Sequence, residues 1–172
     1  MTITFRCTSC GEEHSGIPTF SWDYPIQYLD VPDGERERRV FLTSDTCVID
    51  DAYFFVRGCL EIPVHGSEDP FVWGVWVSLS ERNFGIFQEL LEVDHRSQSG
   101  PFVGWLCSPP SPYPDSCNLK TRVHLRDHGT RPFIELEPTE HPLAIEQREG
   151  ITVERVAEMY ELVVHGVRRS AG

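Results

Sequence analysis

Residues 53–79 read YFFVRGCLEIPVHGSEDPFVWGVWVSL, two apolar runs on either side of a polar loop. In each run, apolar side chains recur at every second position, which is the periodicity of a β-strand that buries one face. The loop contains Gly66 and Pro70, residue types that are typical of turns. The stretch therefore predicts a β-hairpin with a strongly apolar face.

A second hairpin is predicted at residues 119–137, where apolar and charged positions alternate. A two-residue turn at His128-Gly129 would place Val123 opposite Ile134, so that apolar side chains meet on one face. On the other face the same register sets cations against anions, which supports it. The opposed charged pairs are Arg122 with Glu135 and Lys120 with Glu137.

Helical patterns follow the first hairpin and return in the last third of the chain. Ser80 is a good N-cap for one helix, and Thr152 is a good N-cap for the last helix. Between them, residues 139–149 predict a helix that is entered through Pro142 and ended by Gly150. Strands early and helices late predict an α+β fold, with a mainly antiparallel sheet and C-terminal helices.

The length of 172 residues and a hydrophobic content of 40% indicate one globular domain over residues 1–172. We expect residues 1–50 to form a zinc-knuckle-like N-terminal segment integrated with that domain. Residues 166–172 are expected to be a flexible tail.

The chain carries 15 Lys and Arg against 27 Asp and Glu, a formal net charge of -12. An acidic surface repels phosphate backbones and anionic lipids, so we expect neither a nucleic-acid nor a membrane partner. The longest nearly apolar run, at residues 71–79, is too short to span a bilayer. The first ten residues, MTITFRCTSC, contain no apolar signal-peptide core, and we therefore expect a cytoplasmic protein with reduced thiols.

A metal site is predicted at the N-terminus, where Cys7, Cys10 and His14 follow a C-x2-C-G-x2-H pattern. Two thiolates three positions apart can hold one ion if the backbone turns tightly between them, and Gly11 permits such a turn. A structural Zn²⁺ has four ligands, so one more must come from elsewhere. Cys47, in the polar stretch 43–47, is the first choice.

Other interpretations of these cysteines stay open at this stage. Asp45 is an oxygen-donating alternative to Cys47, whereas Cys59 lies inside a predicted strand and is assigned to the core. Cys7 and Cys10 could also be unligated thiols on a surface turn. A redox CxxC is less favoured, because such motifs usually begin a helix after a buried strand.

A second candidate site is a set of basic side chains that could bind an anionic ligand: Lys120, Arg122, His124, Arg131 and His141. The simpler interpretation is that the residues on the strand form a ladder of ion pairs with Glu135 and Glu137. The sequence contains none of the motifs GxGxxG, GxxxxGK[ST], GxSxG or HExxH.

Several segments together resemble one bacterial family, domain of unknown function 2199. They are FRCTSCGEEH, SDTCVID, YFFVRGCLEIPV, FVWGVWVSLSERNF and RPFIELEPTEHPLAIEQREGI. The resemblance implies a small bacterial intracellular protein and carries over no reaction. The family pattern includes the positions of Cys7, Cys10, His14 and Cys47, so the resemblance also favours Cys47 as the fourth ligand.

These observations predict a zinc-stabilised binding or interaction module, of an accessory or immunity type, without its own catalysis. Its partner would be a protein. The alternative is an enzyme that acts on a small anionic substrate around Lys120, His124, Arg131 and His141. In that alternative, His124 would serve as the acid or base.

Overall fold

The computed structural model describes residues 2–166, which contain ten strands and four α-helices and confirm an α+β fold. The strands are β1 (Thr4–Arg6), β2 (Glu13–Ser15), β3 (Thr19–Ser21), β4 (Val40–Leu42), β5 (Thr46–Ile49), β6 (Tyr53–Ile62), β7 (Phe71–Leu79), β8 (Phe102–Leu106), β9 (Lys120–His124) and β10 (Phe133–Leu136). The helices are α1 (Arg36–Arg39), α2 (Glu81–Glu89), α3 (Pro142–Glu149) and α4 (Val153–His165). Apart from Gly166, the predicted flexible tail at 166–172 lies outside the described residues.

Five strands, β6 to β10, form a barrel-like ring in which β10 pairs back onto β6. β5 and β4 extend the sheet from the first half of β6, and β3 pairs with β7. The sheet is mixed, because β6–β10 and β3–β7 are parallel pairs, whereas the sequence predicted a mainly antiparallel sheet. Strands that alternate in direction cannot close a ring of five, since an odd number leaves one neighbouring pair parallel.

Both predicted hairpins are confirmed, the second with its predicted register. In the first, Val56 lies opposite Val77. In the second, Val123 lies opposite Ile134, and the turn residues both have a positive φ, 58° at His128 and 68° at Gly129. The backbone conformation of this turn is the one that a two-residue hairpin loop requires.

The main core fills the ring with alternate side chains of its strands, among them Val56, Leu60 and Trp73, which are at most 1% exposed. Gly58 faces this core, and a Cβ added there would lie 2.5 Å from Cδ1 of Ile134. The same Cβ would lie 2.9 Å from the backbone carbonyl oxygen of Pro132, so a residue larger than glycine would push β6 away from the segment that leads into β10.

A smaller apolar cluster packs on the outside of the ring. Trp76 is fully buried there, and its Nε1 donates a hydrogen bond of 2.9 Å to the carbonyl oxygen of Trp22. The buried members of the cluster are Val31, Cys47, Ile49, Phe55, Trp76 and Cys107.

The helices start at the predicted caps. The Ser80 side chain accepts a hydrogen bond from Asn83 N, and the Thr152 side chain accepts one from Arg155 N. α2 and α3 pack on the strands of the ring, whereas α4 packs on β1 of the separate two-stranded sheet β1–β2. Within residues 2–166, no helix has the length and apolar character that crossing a bilayer requires.

Candidate metal centre

The two N-terminal cysteines lie on the turn that joins β1 to β2. Cys7 N donates a hydrogen bond of 2.9 Å to the carbonyl oxygen of Glu12, and Gly11 N donates one of 2.9 Å to that of Cys7. Gly11 has a φ of 74°, a conformation that glycine adopts without strain. The tight turn that the C-x2-C-G spacing predicts is therefore formed, and His14 follows it on β2.

Soft donor atoms converge around Cys10. Its Sγ lies 3.4 Å from Nε2 of His14. In the described part of the chain, two groups of possible metal ligands have all their donor atoms within 4.8 Å of one another. One contains Cys7, Cys10 and His165, and the other contains Cys10, Glu12 and His14. The structure thus places Cys7 and His14 each close to Cys10 but not in one group with each other, and it adds a histidine of α4 beside the two cysteines.

Contacts between the turn and α4 hold these donors in place. Glu161 is only 3% exposed, and one of its carboxylate oxygens accepts hydrogen bonds of 2.6 Å from both N and Oγ1 of Thr8. The Tyr160 ring lies 4.5 Å from the His14 ring and 5.9 Å from the His165 ring, measured between centroids. Both imidazoles are therefore oriented by the same aromatic side chain.

The electrostatics at Cys10 show why two neighbouring thiols favour a cation. A backbone hydrogen bond at Glu12 lowers the pKa of Cys10, but desolvation and the neighbouring Cys7 together outweigh it and raise that pKa above its ordinary value. Two thiolates side by side repel each other, and a shared metal ion removes that repulsion while binding both as thiolates.

Cys47, the predicted fourth ligand, belongs to neither group of donors. It is fully buried on β5, where it pairs with Phe55 of β6 and packs in the smaller apolar cluster. Burial raises the pKa of its thiol to about 12, so the thiolate that a metal needs is strongly disfavoured there. Asp45, the oxygen-donating alternative, forms an ion pair of 2.9 Å with Arg131.

The candidate anion-binding residues do not converge on one cavity in the described part of the chain. Lys120 forms an ion pair of 3.2 Å with Glu137, as the ladder predicts. His141 is the N-cap of α3, where its Nδ1 accepts a hydrogen bond from Leu143 N. Arg122 is exposed, and Arg131 is held by the carboxylate of Asp45.

His124 lines a shallow groove of about 490 Å³ with Glu61, Arg126, Phe133 and Glu135. Its Nε2 lies 3.7 Å from a carboxylate oxygen of Glu135, and Arg126 forms an ion pair of 2.6 Å with Glu61. The other four candidate residues do not line this groove. The basic side chains of the groove therefore lie next to carboxylates of the protein itself.

Comparison with known families identifies one that the chain matches. The sequence profile of a bacterial family, described as "Uncharacterized protein conserved in bacteria (DUF2199)", matches residues 6–151. The chain belongs to the DUF2199 family. This confirms the family that the sequence segments resemble. Neither the comparison with curated proteins nor that with solved structures returned a match.

The DUF2199 match ends before α4, whereas two residues of the site lie within that helix. Sequence reasoning missed both His165 and Glu161, because no short-range spacing connects them to Cys7 and Cys10. The available signal was weak: Glu161 and His165 are four positions apart, so they share one face of a helix. That face could not be assigned to the N-terminal turn without the packing of α4 on β1.

Proposed function

We propose that this DUF2199 protein is a zinc-stabilised interaction module of the bacterial cytoplasm, without catalysis of its own. The observation that carries the proposal is the 3.4 Å approach of Cys10 Sγ to His14 Nε2, with Cys7 on the same turn. Thiolate sulfur and imidazole nitrogen are the donors that structural zinc sites use. Within the zinc-knuckle-like segment predicted at residues 1–50, the proposal uses the β1–β2 turn and the histidine that follows it on β2.

Zinc in this role stabilises the fold. The sheet β1–β2 is small and has only three residues in each strand, so it buries little by itself. Metal binding contributes free energy that is directly free energy of folding, because the ligands are assembled only in the folded chain. When bound, the ion supplies a fixed cross-link, and a site closed by four protein ligands leaves no position for a substrate.

The acidic net charge of the chain supports the interaction role. A net charge of -12 favours encounter with a basic protein and opposes contact with nucleic acid or anionic lipid. An accessory or immunity-type protein that masks a basic partner fits this surface. The enzymatic alternative has less support, since its basic residues are paired with carboxylates or engaged in capping a helix.

Thermal unfolding with and without a chelator tests the stabilising role. We expect chelation to lower the melting temperature of the wild type by several degrees. The Cys10→Ser variant should melt at the lower temperature in both conditions. Cys117→Ser, which alters a half-buried thiol outside the donor groups, is the matched control and should respond as the wild type does. Identical wild-type melting curves in the two conditions would reject a structural metal.

Affinity capture from the source bacterium tests the interaction role. The zinc-loaded full chain should retain a basic protein in near-stoichiometric amount. Because the attraction is electrostatic, the association rate of the two purified proteins should fall as the salt concentration rises. Repeated capture without a stoichiometric partner, or a partner whose association is indifferent to salt, would contradict this proposal.

A further inference from the structure

The two donor groups at the N-terminal turn share Cys10 and otherwise differ. Cys7, Cys10 and His165 form one, and His14 joins Cys10 with Glu12 in the other. Cys10 links the two groups, because its Sγ lies 3.4 Å from Nε2 of His14 and within 4.8 Å of the donor atoms of Cys7 and His165, whereas His14 shares no group with Cys7 or His165. Together the two groups contain two thiols and two imidazoles, the composition of the Cys₂His₂ donor set of structural zinc sites.

The position of His165 is fixed by a contact one helical turn earlier. Glu161 lies four positions before His165, so both side chains project from the same face of α4. The carboxylate of Glu161 accepts two hydrogen bonds of 2.6 Å from Thr8, the residue directly after Cys7. The rotation of α4 about its axis is thereby set so that His165 faces the cysteines.

The second imidazole is positioned from the same helix. The ring of Tyr160 packs against His14 at 4.5 Å, against Phe5 at 5.4 Å and against His165 at 5.9 Å, all between ring centroids. Both histidines thus flank one ring that α4 carries. The arrangement is assembled by packing and hydrogen bonds between the two ends of the chain.

We propose that His165 is the fourth zinc ligand, with Cys7, Cys10 and His14, so that one ion fastens α4 to the N-terminal turn. This inference rests on the proposed zinc role and adds its geometry: the ion joins the two ends of the chain. Cys47 is buried in an apolar cluster away from both donor groups, and Glu12 offers an exposed carboxylate, the least favoured donor type of the set for a structural site.

Cobalt substitution in the full chain tests the assignment. Metal-free protein is titrated with Co²⁺, whose visible absorption is intense in tetrahedral sites, and zinc affinity is then measured by competition. We expect His165→Ala to weaken zinc binding by at least about a hundredfold, because the binding free energy of a structural site is shared among four ligands. Its cobalt spectrum should also lose the tetrahedral pattern.

Two control variants test whether the effect is specific to His165. His95→Ala removes an exposed histidine of another loop, and Glu12→Ala removes the competing oxygen donor. Both should keep the wild-type cobalt spectrum and zinc affinity. A His165→Ala variant with wild-type spectrum and affinity would overturn the inference, as would a loss of zinc binding in Glu12→Ala that matches the loss in His165→Ala.

Hydrogen exchange provides a second measurement, which reports on α4 directly. Zinc removal should increase hydrogen exchange in the last turn of α4 in the wild type, whereas added zinc should not protect that turn in His165→Ala. Equal protection by zinc in both proteins would contradict the proposal. A wild type that binds neither Co²⁺ nor Zn²⁺ would instead reject the proposed zinc role itself, so the two failures are distinguishable.

Discussion

The carboxylate of Glu161 accepts hydrogen bonds from both N and Oγ1 of Thr8, each at 2.6 Å, and so joins the last helix to the cysteine turn. Glu161 is only 3% exposed, and a buried carboxylate needs such donors to offset its lost hydration. Thr8 directly follows Cys7, and Glu161 lies one helical turn before His165. The contact therefore holds the cysteine turn and the last turn of α4 next to each other.

Replacing Glu161 by Gln should lower the free energy of unfolding by about 2 kcal/mol, because two charge-assisted hydrogen bonds become weaker or are lost. Urea denaturation measures the change. Glu154→Gln, at an exposed position of the same helix, is the control and should stay within about 0.5 kcal/mol of the wild type. In a double-mutant cycle, Glu161→Gln and Thr8→Ala should be strongly non-additive; full additivity would show that the contact contributes nothing.

Substitution of Cys47 tests whether its thiol belongs to the apolar core or to the proposed metal site. Cys47→Ala should retain the zinc content of the wild type and lose about 1 kcal/mol of stability through a small cavity. Because burial raises the pKa of this thiol to about 12, it should also resist alkylation until the chain unfolds. Zinc analysis after gel filtration is the measurement. Loss of zinc from Cys47→Ala, with the fold intact, would restore Cys47 as a ligand.

A methyl group at Gly104 should disrupt the barrel-like ring. The added Cβ would lie 2.6 Å from the carbonyl oxygen of Ser78, so β8 and β7 would have to separate. We expect Gly104→Ala to cost about 2 kcal/mol or more. Gly85→Ala is the matched control, since Gly85 lies inside α2 with nothing within 4 Å of the added Cβ. That control should gain up to about 1 kcal/mol, and equal effects of both substitutions would contradict this packing.

Alkaline unfolding should report on Tyr113, which anchors the loop between β8 and β9, a loop with prolines at 109, 110, 112 and 114. Its hydroxyl donates a hydrogen bond to Glu146, and burial together with that carboxylate raises the pKa of Tyr113 above its ordinary value of 10.0. Since the folded-state pKa lies above that of the unfolded chain, this stabilising contribution is complete below pH 10. It is lost as the pH rises toward the folded-state pKa.

The Tyr113→Phe variant should therefore be less stable than the wild type at neutral pH, by about 2 kcal/mol. Above pH 10, the gap between the two proteins should narrow. Burial also raises the thiol pKa of Cys47 and Cys107, which makes their contribution to stability depend on pH, but both thiols are common to the two proteins and cancel in the difference. Free energies of unfolding between neutral pH and pH 11 provide the measurement, and a gap that does not change with pH would contradict the assignment.

The sequence predicts the parts of this fold that depend on neighbouring residues. The hairpin over 53–79 and the pairing of Val123 with Ile134 follow from alternation and turn chemistry alone. The parallel pairing of Cys59 with Phe133 does not, because it joins distant strands and depends on ring closure. Gly58 favours that closure, since an added Cβ would lie 2.9 Å from the carbonyl oxygen of Pro132.

The same distinction applies to the candidate site. Cys7, Cys10 and His14 are predicted because a CxxC turn and a following histidine form one local unit. The contribution of α4 escapes prediction, since it requires the rotation of that helix, which the bond between Glu161 and Thr8 sets. Cys47 sits in a polar stretch of sequence, but its side chain faces the apolar cluster once β5 pairs with β6.

The metal content of the purified protein tests the account most directly. Elemental analysis of the wild type, purified under reducing conditions without chelator, should give one zinc per chain. Cys10→Ser prepared in parallel should give close to none. A folded wild-type protein that contains no zinc, and takes up none when zinc is supplied, would contradict the account.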